Sequence, residues 1–178
     1  MSLDVKKTLD ALNVELNVNG ITRTLIICGG ASLILQGIVR AGRQTDDVDV
    51  IDPSIDEKLK DAVKAVAHQH ALNEYWLNSG PISLTRDLKL GWESRIRQVY
   101  AGSNLIVHTI AREDMIFAKF WAQVDRREDF NDFIDLAPTS DEIDEAVAQT
   151  IPLDGNPNWQ KEVDDLRLRP RKEMGHDK

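Results

Sequence analysis

The sequence has little of several features that would assign it to a specialised class of protein. Cysteine occurs once, as Cys28, so no intramolecular disulfide can form and the chain suits a reducing compartment. The longest apolar runs are much too short to cross a bilayer, and no signal-peptide core follows the N-terminal lysines. We therefore expect a cytoplasmic protein with no membrane partner.

Basic residues are also few relative to acidic ones. The 22 lysines and arginines are outnumbered by 30 aspartates and glutamates, which gives a formal net charge of −8. This balance argues against a surface for general DNA binding, and an RNA substrate would need a local basic groove. The composition, 42% hydrophobic and 29% charged over 178 residues, is that of an ordinary globular domain with a sizeable core.

Strand-like and helical segments alternate in the first two thirds of the chain. Apolar residues at helical spacing predict a first helix, and TLIIC predicts a buried strand. Gly29 and Gly30 then lead into a helix over residues 31–39, and VDVI predicts a second strand. A capping box of Ser54 and Glu57 predicts the next helix. The pattern predicts an α/β (α+β) fold built on a small sheet.

The last third of the chain is mostly helical. Two further strand patterns, the second being LIVHTI, are followed by three helical segments, the last of which opens at a capping box of Thr139 and Glu142. We predict an α/β core over residues 1–110 and a helical part over residues 111–150. Prolines and a glycine then predict a linker, so residues 151–178 are expected to form a linker and a charged tail.

Two acids interrupt the valines of the second predicted strand. Asp47 and Asp49 alternate with Val48 and Val50, and the period of two sends both carboxylates to one face. Two close carboxylates are costly to bury unless a cation intervenes. Mg²⁺ or Mn²⁺ would suit them, because such ions bind one or two carboxylates together with water and phosphates. An edge strand with its polar face in water would explain the same pattern without a metal.

The glycine pair before the first predicted helix supplies a complementary feature. Gly29 and Gly30 at a helix start would let backbone N–H groups and the helix dipole approach a phosphate, and Ser32 adds a hydroxyl. The pair lacks the third glycine of a dinucleotide fingerprint, and the chain has no Walker loop. An EF-hand calcium loop that begins at Asp47 would place Lys58 where a glutamate is needed.

This order of motifs resembles the nucleotidyltransferase superfamily, whose signature is a glycine pair, a helix and a D-x-D strand. The residues that match are Gly29, Gly30, Ser32, Arg43, Thr45, Asp47 and Asp49. The chain is most similar to bacterial minimal nucleotidyltransferases and to the nucleotidyltransferase-like toxins of toxin–antitoxin systems. Those proteins also tend to carry a lysine on a helix followed by R-x-x-D-x-x-D, as in REDMIFAKFWAQVDRREDFNDFIDL, so the resemblance covers residues 25–52 and 110–136.

The resemblance implies a nucleotidyltransferase-type mixed sheet flanked by helices, and transfer of a nucleotidyl group from a nucleoside triphosphate to an RNA, a protein or a small molecule. Asp47 and Asp49 would hold Mg²⁺ or Mn²⁺. The implied nucleotide-binding residues are Gly29, Gly30, Ser32, Arg43, Thr45 and Lys119. The family often has a third carboxylate on a neighbouring strand, and the candidate here is Asp87. A cognate toxin or antitoxin is the expected protein partner.

Lys119 is the one charge in the apolar segment MIFAKFWA. A lysine there either extends its amine to solvent or has an anionic partner, which would be a triphosphate or an acid. Asp129 and Asp132 lie at helical spacing and either face water or orient Lys119 and Arg43. The resemblance implies a catalytic role for Lys119 and a supporting role for the two acids.

Two other functions remain open from the residues. The D-x-D pattern is shared with metal-dependent glycosyltransferases, which would use a nucleotide sugar. A catalytically inactive interaction protein, either an antitoxin or a partner subunit, would keep the fold without turnover.

Overall fold

The computed structural model of the chain describes residues 2–127 and 130–175. The chain forms two compact units, which we call the sheet unit (Met1–Arg86 and Leu90–Ala111) and the helical unit (Asp87–Lys89 and Arg112–Lys178). Within the described ranges, no helix is both long enough and apolar enough to cross a membrane.

A single mixed sheet organises the described part of the sheet unit. Its strands are β1 (Arg23–Cys28), β2 (Val48–Asp52), β3 (Leu77–Asn78), β4 (Arg97–Ala101) and β5 (Leu105–Thr109). Their order is β3-β2-β1-β5-β4. Pairing is antiparallel for β1 with β2 and for β4 with β5, and parallel for β1 with β5 and for β2 with β3. The predicted mixed sheet flanked by helices is therefore confirmed.

Helices α1 (Val5–Val18), α2 (Gly29–Gln36) and α3 (Glu57–His70) belong to the same unit. The leucines of α1 that repeat at helical spacing are fully buried with the apolar face of the sheet. Burial of these leucines with β-branched strand residues provides the main stabilisation of the unit. The core members from α1 and the strands include Leu9, Leu12, Leu16, Leu25, Ile27, Val48, Val50, Leu105 and Val107.

Two helix starts differ from the sequence prediction. The α2 helix begins at Gly29 itself and ends at Gln36, where Gly37 adopts the left-handed conformation at φ 67°. The α3 helix is capped by Asp56, whose side chain accepts a hydrogen bond from the Leu59 N–H at 2.8 Å. The predicted capping box of Ser54 and Glu57 was wrong, because Asp56 stands immediately before the first helical residue.

The helical unit contains α4 (Arg112–Arg126), α5 (Phe130–Asp135), α6 (Ser140–Thr150) and α7 (Pro157–Glu173). The capping box of Thr139 and Glu142 is confirmed, with N–H to side-chain oxygen distances of 2.8 and 3.2 Å. The segment that we expected to be a linker and charged tail forms a short 3-10 helix and α7 instead. Trp159 is buried there, and its indole N–H donates to the Thr150 carbonyl at 3.0 Å.

Candidate functional site

The glycine pair and the D-x-D pattern meet where β1 ends. Cys28 is the last residue of β1, Gly29 is the first residue of α2, and Cys28 pairs with Asp49 of the antiparallel strand β2. The pairing of β1 with β2 therefore places the glycine turn beside the second acid. Local sequence supplies both elements, and the sheet register brings them together.

Burial along β2 alternates as the sequence predicts. Val48 and Val50 are fully buried, whereas Asp47 and Asp49 are half-buried. Since β2 lies between β1 and β3, it is an internal strand. The alternative that these acids lie on the solvent-exposed face of an edge strand is therefore wrong, because β2 is not an edge strand. Half-buried carboxylates on an internal strand need partners or a cation to offset desolvation.

The backbone at Gly29 approaches the Asp49 carboxylate very closely. Gly29 has φ 73°, and a Cβ built on it would lie 2.6 Å from Oδ2 of Asp49. A side chain here would be strained by the backbone conformation and would also collide with the carboxylate. Glycine is therefore required at this position if Asp49 is to stay where it is.

Gly30 closely approaches Arg43 and Thr45, the R-x-T part of the motif. A Cβ on Gly30 would lie 2.8 Å from Nη2 of Arg43 and 3.2 Å from Oγ1 of Thr45. The buried Thr45 hydroxyl in turn lies 3.3 Å from Oδ1 of Asp47 and 3.3 Å from its carbonyl oxygen. The structure thus gathers Arg43, Thr45 and Asp47 around the second glycine.

The charges of this cluster suit a metal ion with a phosphate. The positive end of α2 lies beside the Asp49 carboxylate at Gly29, and the Arg43 guanidinium lies beside Gly30 in the same turn. Among the described residues, no three His, Cys, Asp or Glu side chains are grouped to hold a metal alone. A pair of carboxylates suits Mg²⁺, which completes its shell with water and substrate phosphate oxygens.

Gly29→Ala is expected to disturb the site more than a matched glycine change. Gly37, immediately after the last residue of α2, also has a positive φ of 67°, but a Cβ there would meet no atom of the described residues within 4 Å. Both substitutions should cost about 1–2 kcal/mol of stability from the left-handed backbone. Only Gly29→Ala should also displace Asp49. Melting curves with and without Mg²⁺ and ATP compare the two variants, and an equal ligand response in both would contradict the close approach.

Ser32 lies deeper than a phosphate ligand at the surface would. It is fully buried, and its hydroxyl is hydrogen-bonded to the hydroxyl of Thr109, also fully buried, and to Nε2 of Gln36 at 3.1 Å. The sequence could not indicate this burial. A direct contact of Ser32 with phosphate stays a prediction that this placement does not favour.

Asp87 is not on a strand, so that part of the prediction was wrong. Residues Gly80–Arg86 form a 3-10 helix, and Asp87 lies in the turn that follows, within the helical unit. Its carbonyl accepts a hydrogen bond from Nε2 of Gln149 at 2.6 Å. On the side of β2 away from β1, the neighbouring strand is the two-residue β3, in which Asn78 pairs with Asp49.

Lys119 and Asp132 form an ion pair inside the helical unit. They are 4% and 2% exposed, and Nζ of Lys119 lies 3.0 Å from Oδ2 of Asp132. The alternatives that the amine reaches solvent or that Asp132 faces water are therefore wrong, and the anionic partner seen for Lys119 is an acid. Asp129 lies outside the described residues. A contact of Lys119 with nucleotide stays a prediction.

Comparison with known proteins identifies the family of the chain. A family described as "Nucleotidyltransferase of unknown function (DUF6036)" has a model that matches residues 5–168. Neither a search of curated proteins nor a search of solved structures returned a match. Since the matched region covers far more than half of the 178 residues, the chain belongs to this nucleotidyltransferase family.

Proposed function

We propose that the protein is a Mg²⁺- or Mn²⁺-dependent enzyme that transfers a nucleotidyl group from a nucleoside triphosphate to an RNA, protein or small-molecule acceptor in the cytoplasm. The observation that carries this proposal is the close approach of the glycine pair to the acids. The backbone of Gly29 lies against the Asp49 carboxylate, and that of Gly30 lies against Arg43 and Thr45. A cation held by the acids, together with a phosphate bound at the glycine turn, would suit this arrangement.

Different residues of the chain would bind the metal and the phosphate. Asp47 and Asp49 would hold the metal, whose chemistry when bound is to neutralise phosphate charge and orient the reacting oxygens. The N–H groups at the start of α2 and the Arg43 guanidinium would bind phosphate oxygens, because both present donors and positive charge. Thr45 would orient Asp47 through its 3.3 Å contact with Oδ1.

The protein partner is proposed from the sequence resemblance. A cognate toxin or antitoxin would form a complex with this chain, and co-expression with the product of the adjacent gene tests this directly. Stable co-purification together with suppressed toxicity would support a toxin–antitoxin pair. Nucleotide binding without any detectable transfer would favour the inactive interaction protein.

Mg²⁺ with a nucleoside triphosphate is expected to raise the melting temperature, because ligands that bind only the folded state stabilise it. At ~100 times the dissociation constant, the stabilisation would be about 2.7 kcal/mol. The titration uses ATP, CTP, GTP and UTP with Mg²⁺ or Mn²⁺, and each nucleotide with a chelator as control.

No shift with any of the four nucleotides would contradict the proposal. Nucleotide sugars in the same titration distinguish glycosyl transfer from nucleotidyl transfer, because a glycosyltransferase would bind a nucleotide sugar in preference to a triphosphate. A response to triphosphates that exceeds the response to nucleotide sugars supports nucleotidyl transfer.

A further inference from the structure

A buried chain of hydrogen bonds ties α2 to the sheet. Nε2 of Gln36 lies 3.1 Å from the Ser32 hydroxyl, that hydroxyl is bonded to the hydroxyl of Thr109, and Oγ1 of Thr109 lies 3.3 Å from the Ile110 carbonyl oxygen. The amide nitrogen only donates and the carbonyl only accepts. The donors must therefore run in one direction, from Gln36 through Ser32 and Thr109 to Ile110.

The position of this chain in the fold connects it to the glycine pair. Ser32 lies in the first turn of α2, which begins at Gly29, and Thr109 ends β5, the strand on the opposite side of β1 from β2. Both hydroxyl-bearing residues are 0% exposed, so water cannot replace a lost partner. The bond fixes the start of α2 relative to the sheet that carries Asp49.

Little space separates the backbone of Gly29 from the Asp49 carboxylate. The space between Gly29 and Asp49 is too narrow for a Cβ, which would lie 2.6 Å from the carboxylate on a backbone with φ 73°. A shift of α2 by a fraction of an ångström would therefore change how its N–H groups face a ligand held by Asp49. Displacements of this order are sufficient to weaken a preorganised site.

We propose that Ser32 and Thr109 are positioning residues for the nucleotide site, which act through α2 without touching the nucleotide. The inference rests on the proposed function, because it presumes that the start of α2 binds phosphate. It reassigns the Ser32 hydroxyl from phosphate ligand to part of the buried chain. Thr109, which the sequence motif does not include, becomes equally important.

The test is a double-mutant cycle on nucleotide affinity. Ser32→Ala, Thr109→Val and the double variant remove one or both hydroxyls with little change of shape, and Thr109→Ser keeps the hydroxyl. Thr150→Val is the matched control, since Thr150 is a fully buried threonine of the helical unit whose hydroxyl has no hydrogen-bond partner among the described residues. Calorimetry measures binding of each of the four nucleoside triphosphates with Mg²⁺, and circular dichroism verifies folding.

Each single variant is expected to bind about tenfold more weakly, which is about 1.4 kcal/mol. The double variant should lose no more than either single one, because both act on the same bond. Thr109→Ser and Thr150→Val should bind within about twofold of wild type, about 0.4 kcal/mol. If Ser32→Ala fails to fold, Thr109→Val against Thr109→Ser still measures the effect of the bond.

Other outcomes would overturn the inference. Weaker binding by Ser32→Ala with unchanged binding by Thr109→Val would make Ser32 a phosphate ligand. Lower melting temperatures with unchanged affinity in all variants would make the pair structural only. Absence of triphosphate binding by the wild-type protein would refute the proposed function itself. This result is distinguishable from a failure of the positioning role, because the wild-type protein is measured before any variant.

Discussion

Asp49→Asn is expected to abolish the stabilisation by Mg²⁺ and triphosphate, and any nucleotidyl transfer with it. Asparagine keeps the size and shape of the side chain on the internal strand β2 but lacks the charge that binds a hard cation. In the absence of metal, two effects on the stability of the Asp49→Asn variant oppose each other. Loss of repulsion from Asp47 stabilises the protein, whereas loss of a negative charge beside the start of α2 destabilises it by about 0.3–1 kcal/mol.

The stability of Asp49→Asn without ligand should therefore differ from wild type by less than about 1 kcal/mol. Asp52→Asn is the matched control, because Asp52 is the last residue of the same strand and is exposed. Melting curves with and without Mg²⁺ and ATP, together with incorporation of labelled nucleotide into cell extract, provide the comparison. If Asp49→Asn keeps the full ligand response, the metal interpretation of the D-x-D pattern is wrong.

Short-range patterns predicted the elements of the candidate site well. The alternation of acids and valines in β2 and the glycine pair at the start of α2 are properties of adjacent residues, and strand and helix geometry convert them directly into structure. The two motifs meet because β1 and β2 pair antiparallel, which the resemblance implied only in general terms. The register of Cys28 with Asp49 comes from the structure.

The burial of Ser32 could not be predicted from its surroundings. Four consecutive residues, from Gly30 to Leu33, are buried at the start of α2. A helix that is buried on all sides has no polar face, so the helical period gives no orientation for its side chains. A serine in a glycine motif then looks like a ligand, although its partner is the hydroxyl of Thr109, 77 positions away.

The errors at Asp87 and after residue 150 have different causes. The β3 strand has only two residues and the 3-10 helix that follows it has seven, so neither is long enough to show a hydrophobic periodicity that would separate a strand from a turn near Asp87. In α7, charged residues dominate, and the buried Trp159 and Val163 are too few to show an apolar face by composition. Contacts of α7 with α4, with α6 and with the short 3-10 helix Ile151–Leu153 stabilise it instead.

Lys119→Met is expected to destabilise the protein by about 3–5 kcal/mol, because it removes the lysine ammonium that is paired with the buried Asp132 carboxylate. The pair is 5% and 3% exposed at its side chains, so water cannot solvate the remaining carboxylate. Lys89 and Glu145 form the matched exposed pair in the same unit, with side chains 47% and 62% exposed. Lys89→Met should change stability by less than about 1 kcal/mol. Denaturant unfolding measures both.

Adding Asp132→Leu to Lys119→Met should recover most of the lost stability, since an apolar pair of similar volume often replaces a buried ion pair without cost. This double variant also decides between the two roles of Lys119. Lys119 is 4% exposed and its amine is bonded to Asp132, so we expect the double variant to bind ATP with Mg²⁺ as wild type does. A folded double variant that has lost ATP binding would instead assign Lys119 to the nucleotide site, as the sequence resemblance implies.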